Sequence, residues 1–472
     1  MTSTVSADFQ GKHVTVAGLG VSGIPAAKVL HARGALVTVV NDGDDARARE
    51  QAAELEALGI TVRLGDGATL PEGTDLIVTA PGWKPDKPLF TAAREAGVEI
   101  WGDVELAWRL RGPDAAPWLA ITGTNGKTTT TQMLASILKA AGLRTAAVGN
   151  IGVSVLDAVL GEEQYDVLAV ELSSYQLHWA PSLRAHSAAV LNLAPDHLDW
   201  HGSMEAYARD KGRVYEGNRV ACVYNVADKA TEDLVREADV EEGCRAIGFT
   251  LGSPGPSQLG VVDGILVDRA FVENRQKNAQ ELAEVSDVNP PAPHNIANAL
   301  AAAALARAFG VPAKAVRDGL RAFTPDAHRI AHVADVDGVA YVDDSKATNT
   351  HAAEASLAAY ESIVWIAGGL AKGASFDELV AKSAKRLRGV VLIGADRALI
   401  REALARHAPE VPVVDLDRTD TGAMLQAVTE AKRLAQPGDT VLLAPACASM
   451  DMFTNYNKRG DAFAEAVREL GS

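Results

Sequence analysis

Apolar and polar positions along the chain fall into a repeating alternation. Short runs of β-branched and apolar residues are each followed by a stretch whose apolar residues recur at helical spacing. Three blocks of this kind stand out. The first has strands at 13–18 (HVTVAG), 36–40 (LVTVV) and 75–80 (DLIVTA), with a helix starting near Ser22 and a charged Glu/Ala helix further on. Residues 111–117 (RGPDAAP) break the pattern and read as a linker. The second block has strands at 118–122 (WLAIT), 166–171 (DVLAVE) and 188–193 (AAVLNL). Residues 225–290 are less regular and contain the loop compositions GSPGPS and NPPAP; an Ala-rich helix ending at Gly310 follows. The third block starts near 324–329 (TPDAHR) and carries strands at 339–344, 362–369, 389–395 and 439–446. No short tandem repeat is visible. The alternation predicts an α/β chain of mostly parallel sheets flanked by helices. At roughly 150 residues per domain, its 472 residues read as about three domains.

Composition narrows the function classes. The chain is 47% hydrophobic and 22% charged, as a folded enzyme is. A net charge of -16 argues against a nucleic-acid or basic membrane-surface protein, while leaving room for anionic small molecules in local pockets. No apolar run approaches the roughly 20 residues of a membrane helix. The segment MTSTVSADFQGKH lacks the basic flank and apolar core of a signal peptide. Cys222, Cys244 and Cys447 are scattered, with neither zinc spacing nor a disulfide framework. That fits a reducing compartment and a cytoplasmic location.

Two glycine loops carry the candidate chemistry. Gly18-x-Gly20-x-x-Gly23 joins a strand to a helix and suits a diphosphate; alone it would favour a nicotinamide oxidoreductase. The second, ITGTNGKTTT at 121–130, also links strand and helix. Its backbone N–H groups and the helix N-terminus would cradle phosphate, Lys127 would reach the terminal phosphates, and Thr128 would offer a hydroxyl to Mg²⁺. It departs from the standard phosphate loop in having Ile121 where that loop has glycine. A phosphate-loop switch or binding module would share these features. Glu171, at a strand end, suits Mg²⁺, although a lone acid there is commonly a surface residue. The cluster Asp196, His197, Asp199 and His201 reads equally as a zinc site, a solvated loop or part of an active centre. Lys211, in YARDKGRVYEG, reads from composition as a solvated amine on a surface helix. Asn295 and Asn298 share a helix face, where the plain reading is one capping and one exposed residue. His294 reads as capping or packing, Asp344 as a helix cap, and Lys372 as surface in a mobile glycine loop.

These motifs together resemble one family. ITGTNGKTTT, VGNIG (148–152), ELSSYQL (171–177), NLAPDHLDWHG (192–202), YARDKGRVYEG (207–217), VDDSKATNTHA (342–352) and LLAPACASMDMFTNYNKRGDAF (442–463) are similar to the signatures of the Mur ligases of bacterial peptidoglycan synthesis. With the N-terminal GLGVSG, the likeness is to the D-glutamate-adding branch. The folate polyglutamylating synthetases are relatives, and another Mur-type or folate-type ligase is the alternative.

The resemblance implies a Rossmann-like domain at 1–112 for a UDP-linked substrate, a central ATPase domain at 113–324 and a Rossmann-like amino-acid-binding domain at 325–472. It implies ATP, two Mg²⁺ ions, and amide formation through an acyl phosphate on UDP-N-acetylmuramoyl-L-alanine, with D-glutamate as the incoming amine. Lys127, His197, Lys211 and Lys346 would be catalytic. ATP would meet Gly123, Thr124, Asn125, Gly126, Lys127, Thr128, Thr129, Asn295, Asn298, Arg329 and Asp344. Val21, Ser22, Asn41, Asp42, Gly82, Asn150 and His197 would hold the UDP substrate, with either Asn41 or Asp42 facing uracil. Thr348, Lys372, Ser449 and Tyr456 would receive D-glutamate. Thr128, Glu171, His197 and a carbamylated Lys211 would ligate metal. A monomer with a hinge near 324–329 is expected, with no nucleic-acid or membrane partner. The chain departs from the family pattern at Ala444, often Ser, and Tyr456, often Phe.

Overall fold

The computed structural model describes residues 8–325, 327–418 and 420–470. The first sheet contains β1 (His13–Ala17), β2 (Leu36–Asn41), β3 (Thr61–Leu64), β4 (Leu76–Thr79) and β5 (Glu99–Gly102), in the order β3-β2-β1-β4-β5. All its pairings are parallel. β1 therefore lies at the middle of a doubly wound sheet, and the glycine turn leaves its carboxyl end, where such sheets bind ligands.

The second sheet is built from β6 (Trp118–Thr122), β7 (Ala147–Gly149), β8 (Leu168–Glu171), β9 (Ser187–Val190), β10 (Ala221–Asn225), β11 (Arg245–Phe249), β12 (Gln258–Val262), β13 (Ile265–Asp268) and β14 (Gln280–Glu284). Its order is β14-β13-β12-β11-β10-β9-β6-β8-β7. It is parallel except where β13 turns back on β12 and β14 on β13. The stretch 225–290, irregular in sequence, thus supplies β11 to β14 and the helix Lys229–Glu237. β6 is buried along its whole length, which explains its unbroken apolar run. Residues 118, 120, 168, 170, 188 and 190 point to one core, and 119, 121, 167, 169, 189 and 191 to the other. The second core is filled by the helix Pro293–Ala308, whose residues Ala299 to Ala306 have no exposure. The first runs without interruption from Phe9 to Cys222, so the first two sheets share it.

The third sheet has β15 (Ala331–Val336), β16 (Val339–Asp343), β17 (Ile363–Gly368), β18 (Leu387–Ile393), β19 (Val413–Asp415) and β20 (Thr440–Leu443), ordered β15-β16-β20-β17-β18-β19. Only the β15–β16 pairing is antiparallel. It has its own core on each face.

The chain forms two compact units. One comprises residues up to Val288 with Asn295–Phe323; the other comprises Asn289–His294 and the residues from Thr324 onward. Among the described residues no helix is long and apolar enough to cross a membrane. The scattered cysteines are not all apart: Cys222 and Cys244 bring their sulfurs to 3.9 Å.

Candidate active site

In the first unit, the turn after β1 is shaped by Gly18, whose φ is +106°, and by Gly23, where a Cβ would come within 1.9 Å of the Gly18 carbonyl oxygen. Val21 stands out at the tip of the turn. Ser22 precedes the helix Gly23–Ala32 and donates its hydroxyl to half-buried Asp103 at 3.0 Å. Asn41 accepts the Leu19 N–H at 3.2 Å and lines an open cleft of about 240 Å³ with Leu19, Gly20 and Val21. Asp42 is paired with Lys87 at 2.6 Å. The Gly82 carbonyl accepts the Trp200 indole N–H at 3.1 Å.

The loop after β6 turns on Gly123 (φ +151°) and Gly126 (φ +82°), and Gly126 opens the helix Lys127–Ala140. A helix start of this kind directs its first N–H groups toward an anion. The loop is held from behind. Asn192 accepts the Asn125 N–H at 2.8 Å and donates to the Asn125 carbonyl at 3.1 Å. The Thr124 hydroxyl meets the Tyr207 hydroxyl at 2.9 Å. The Lys127 ammonium folds over the loop to the carbonyls of Gly123 (2.9 Å) and Thr124 (2.8 Å). Thr128 and Thr129 are buried in the first helical turn. Asn298 abuts Gly126, where a Cβ would lie 2.4 Å from the Asn298 Oδ1. Asn295 accepts from Asn298 at 3.4 Å. Both asparagines are buried, which corrects the reading of one as exposed: the alanines around them bring the helix close to its neighbours.

Glu171 ends β8 next to the loop strand and is buried, not a surface acid. Its Oε1 accepts from Asn150 at 3.1 Å, and its buried Oε2 has no hydrogen-bond partner. An ionised oxygen left unpaired in the interior is costly, so this atom suits a cation. Among the described residues no group of three or more His, Cys, Asp or Glu side chains forms a metal cage. Mg²⁺ takes one or two carboxylates and completes its shell with hydroxyl, phosphate and water oxygens.

Lys211 is the largest correction. It is 2% exposed, and its amine donates to the Gly123 carbonyl at 2.8 Å. One face of the helix Met204–Gly212, carrying Tyr207, Asp210 and Lys211, packs beneath the phosphate loop, while Glu205 and Arg209 on the other are exposed. Burial, helped by Lys127, holds the Lys211 amine well below the usual lysine range. His197 has φ +54° and packs at a tilt against Tyr175, with ring centroids 4.9 Å apart and planes 52° apart. Loss of solvent lowers its pKa, against the pull of Asp196. Sequence reasoning missed the support around it. Asp210 binds His178 (2.9 Å) and His201 (3.0 Å), and His201 reaches Ser174 at 2.9 Å. Tyr175, stacked on His201 and tilted against His197, is thereby fixed.

In the second unit, Arg329 is flanked by two left-handed residues, His328 (φ +64°) and Ile330 (φ +48°). His328 is anchored to Asp343 at 2.6 Å, and a Cβ on Gly460 would lie 2.1 Å from its Nδ1. Asp326, in the same stretch, lies outside the described residues. Asp344 is not a helix cap: Asn349 caps the helix Thr350–Leu357, while Asp344 is buried and bonded by Ser356. Lys346 donates to the Tyr456 hydroxyl at 2.8 Å and lies 4.0 Å from its ring centre, which gives that hydroxyl its partner. Thr348 follows on the same turn, its N–H donating to the Lys346 carbonyl. Lys372 is exposed, at φ +50°, but its loop is tied down. Leu370 and Ala448 exchange two backbone hydrogen bonds of 2.9 Å, and Asp396 accepts the Ala371 N–H at 2.8 Å. Ser449, next to Ala448 of this bridge, is buried. His294 is mostly packed, and burial pushes its pKa down to about 4.

Three α/β sheets, the middle one carrying a phosphate loop backed by a carboxylate with one unpaired buried oxygen and by a buried lysine, define a nucleotide-dependent group-transfer enzyme. Family models match in chain order: "Mur ligase MurD-like, N-terminal domain" over residues 12–102, "Mur ligase middle domain" over 121–306 and "Mur ligase, glutamate ligase domain" over 328–447. The chain belongs to the Mur ligase family, whose members use ATP and Mg²⁺. It is 89% identical to the UDP-N-acetylmuramoylalanine--D-glutamate ligase of Streptomyces coelicolor, over 98% of this chain and 99% of that one. The Thermobifida fusca protein of the same name is 60% identical, over 98% and 99%. Among solved structures, a pseudomurein peptide ligase type C from Methanothermus fervidus matches with TM-score 0.58 and 17% identity, covering 97% of this chain and 100% of that one. MurF ligase from Thermotoga maritima, in complex with ADP, matches with TM-score 0.56 and 15% identity, over 99% and 97%. These two likenesses show a shared fold.

Proposed function

We propose that this chain is the ATP-dependent ligase that adds D-glutamate to UDP-N-acetylmuramoyl-L-alanine in peptidoglycan precursor synthesis. The near-full-length identity of 89% to a protein of that name supports the substrate pair. The observation that carries the chemistry is the convergence of the phosphate loop, Glu171 and Lys211 at one end of the central sheet. A nicotinamide oxidoreductase would leave that loop without a purpose.

Residues 1–112 bind the UDP substrate through Val21, Ser22, Gly82 and Asn41, which is better placed than Lys87-paired Asp42 to face uracil. Residues 113–324 bind ATP, and 325–472 bind D-glutamate. Lys127 and the N–H groups of 123–129 grip the β- and γ-phosphates, and Asn295 and Asn298 hold adenine. Arg329 pairs phosphate, Asp344 takes the ribose hydroxyls, and Lys346 lies by the phosphates or the amine. Bound Mg²⁺ supplies positive charge against the repulsion between carboxylate and γ-phosphate. Thr128, Glu171, His197 and Lys211 would hold it, in two ions. The substrate carboxylate attacks the γ-phosphorus, the bond to the β,γ-bridging oxygen breaks, and ADP leaves behind an acyl phosphate. The D-glutamate amine adds to its carbonyl and gives up a proton, the C–O bond breaks, and phosphate leaves. His197 and Asn150 orient the muramyl end. Thr348, Lys372, Ser449 and Tyr456 orient D-glutamate, whose carboxylates need a cation and hydroxyls.

Lys211 is suited to carbamylation because a buried, uncharged amine can attack CO₂, losing one proton and becoming an anionic oxygen donor. Release of phosphate in the presence of ATP, Mg²⁺ and UDP-N-acetylmuramoyl-L-alanine, with D-glutamate compared against L-glutamate, tests the reading. Phosphate release without preference for D-glutamate overturns it. Lys211→Ala should lose activity and regain part of it with short carboxylates; wild-type rates without them refute the carbamate.

A further inference from the structure

We propose that Cys222 and Cys244 form a modification site: a thiol pair that a peroxide oxidises to a reversible disulfide. Their sulfurs touch at 3.9 Å, against about 2.05 Å in the bond, so closure asks for a shift of roughly 2 Å. The two sulfurs are unequal in a useful way. Cys222 is in β10, paired to Ala188 on one side and Ala246 on the other, and is 2% exposed. It is held in place and shielded. Cys244 is half-buried and precedes β11, whose pairing with β10 begins at Arg245. It belongs to a turn rather than to the ladder, next to Gly243 at φ +91°. That turn can supply the movement, and its thiol is the one a solute can reach. Cys447 is the internal contrast: buried in the other unit, with burial pushing its thiol up to about 12.

The hydrogen bond between the pair raises the Cys222 thiol and lowers the Cys244 thiol, so the accessible sulfur is also the more readily ionised one. The Cys244 thiolate attacks one peroxide oxygen and the O–O bond breaks. The departing hydroxide takes up the thiol proton as water and leaves a sulfenic acid. The Cys222 sulfur then attacks Cys244, the S–O bond breaks, and hydroxide leaves with the Cys222 proton as a second water. Two thiols lose two electrons, and one hydrogen peroxide is reduced to two waters. An added dithiol reverses the step by being oxidised itself. β10 and β11 enter this pair at their amino ends, opposite the carboxyl ends from which the phosphate loop leaves, so catalysis should persist in the oxidised protein.

The full-length protein is treated with hydrogen peroxide, then alkylated under denaturing conditions and analysed by mass spectrometry. The expected result is a fall from three free thiols to one. A peptide pair linking 222 to 244 should appear, and dithiothreitol should restore all three thiols. Cys447→Ser should still form the link. Cys244→Ser should abolish it, and Cys222→Ser should leave a sulfenic acid at Cys244 that dimedone captures. Because Cys222 is in the core, Cys244→Ser, at the half-exposed position, carries the test if the former variant does not fold. Three thiols left intact, or separate over-oxidation of Cys222 and Cys244 with no linked peptide, overturns the proposal.

Discussion

Gly126 is the residue on which the phosphate loop becomes a helix. It adopts φ +82°, and an added Cβ would meet Asn298 at 2.4 Å. Both penalties fall on the loop and on the asparagine proposed to hold adenine. Left-handed geometry alone costs an L-residue about 1–2 kcal/mol, so Gly126→Ala should weaken ATP binding by about tenfold or more, read by titration calorimetry. Asp344 argues from charge. Burial pushes its carboxyl up to about 6, against the hydrogen bond from Ser356 and the nearby Arg329. An unfolded aspartate titrates near 3.9, so the folded protein holds the proton more tightly. The fold is therefore weakened as pH rises from about 4 through about 6 and loses nothing further from this group above that. Asp344→Asn should melt higher than the parent at about pH 8, by up to roughly 3 kcal/mol, and close to it at about pH 4. An equal difference at both pH values in calorimetry would refute the burial argument. Activity should fall, since the ribose contact is altered.

At the scale of elements, the loop carrying Lys372 is a small β-bridge held by a carboxylate from the next crossover. Asp396 accepts the Ala371 N–H at 2.8 Å, and Leu370 pairs with Ala448 beside Ser449. A hydrogen bond to a charged group is worth about 1.5–3 kcal/mol. Asp396→Ala should raise the KM for D-glutamate about tenfold or more with a smaller change in kcat, and Asp396→Asn, which keeps an acceptor, should recover most of it. Neither the bridge nor its anchor is legible in the sequence, because the partners are far apart along the chain. Other elements were readable for a physical reason. β1, β6, β8, β9, β17, β18 and β20 are flanked on both sides, mostly apolar and buried along most of their length. β3, β5, β7, β15 and β19 lie at or next to nothing on one side and are short or half-polar, so the same pattern passes over them. The phosphate loop was legible because its ligands are contiguous. Lys211 was not: a polar helix hides the fact that its lysine faces Gly123, and the Asp210–His201–Tyr175 support joins residues that only the fold assembles.

At the scale of the molecule, the three sheets are not three equivalent bodies. The cores on both faces of the third sheet draw all their buried residues from 339–467. The first two sheets instead share one core in which Trp108 packs edge-on against Trp118, with centroids 5.0 Å apart. Glu105 is fully buried at the same seam. It accepts from the Ser182 N–H at 3.0 Å and is paired with Arg109 at 2.7 Å, and the Gly102 N–H donates to the Trp179 carbonyl. A cut at 112 would strip Trp108 of its partner and leave Glu105 short of donors in an apolar setting. Truncating a packed aromatic contact costs about 3–5 kcal/mol and losing a buried polar partner about 1–3 kcal/mol, against a whole-domain stability of about 5–15 kcal/mol. A fragment spanning 324–472 should therefore unfold cooperatively on its own, as followed by circular dichroism and calorimetry. A fragment spanning 1–112 should lack a cooperative transition or aggregate, and extending it to 323 should restore one. Independent cooperative folding of 1–112 would show that the shared tryptophan seam is dispensable and that the first sheet is a self-sufficient domain.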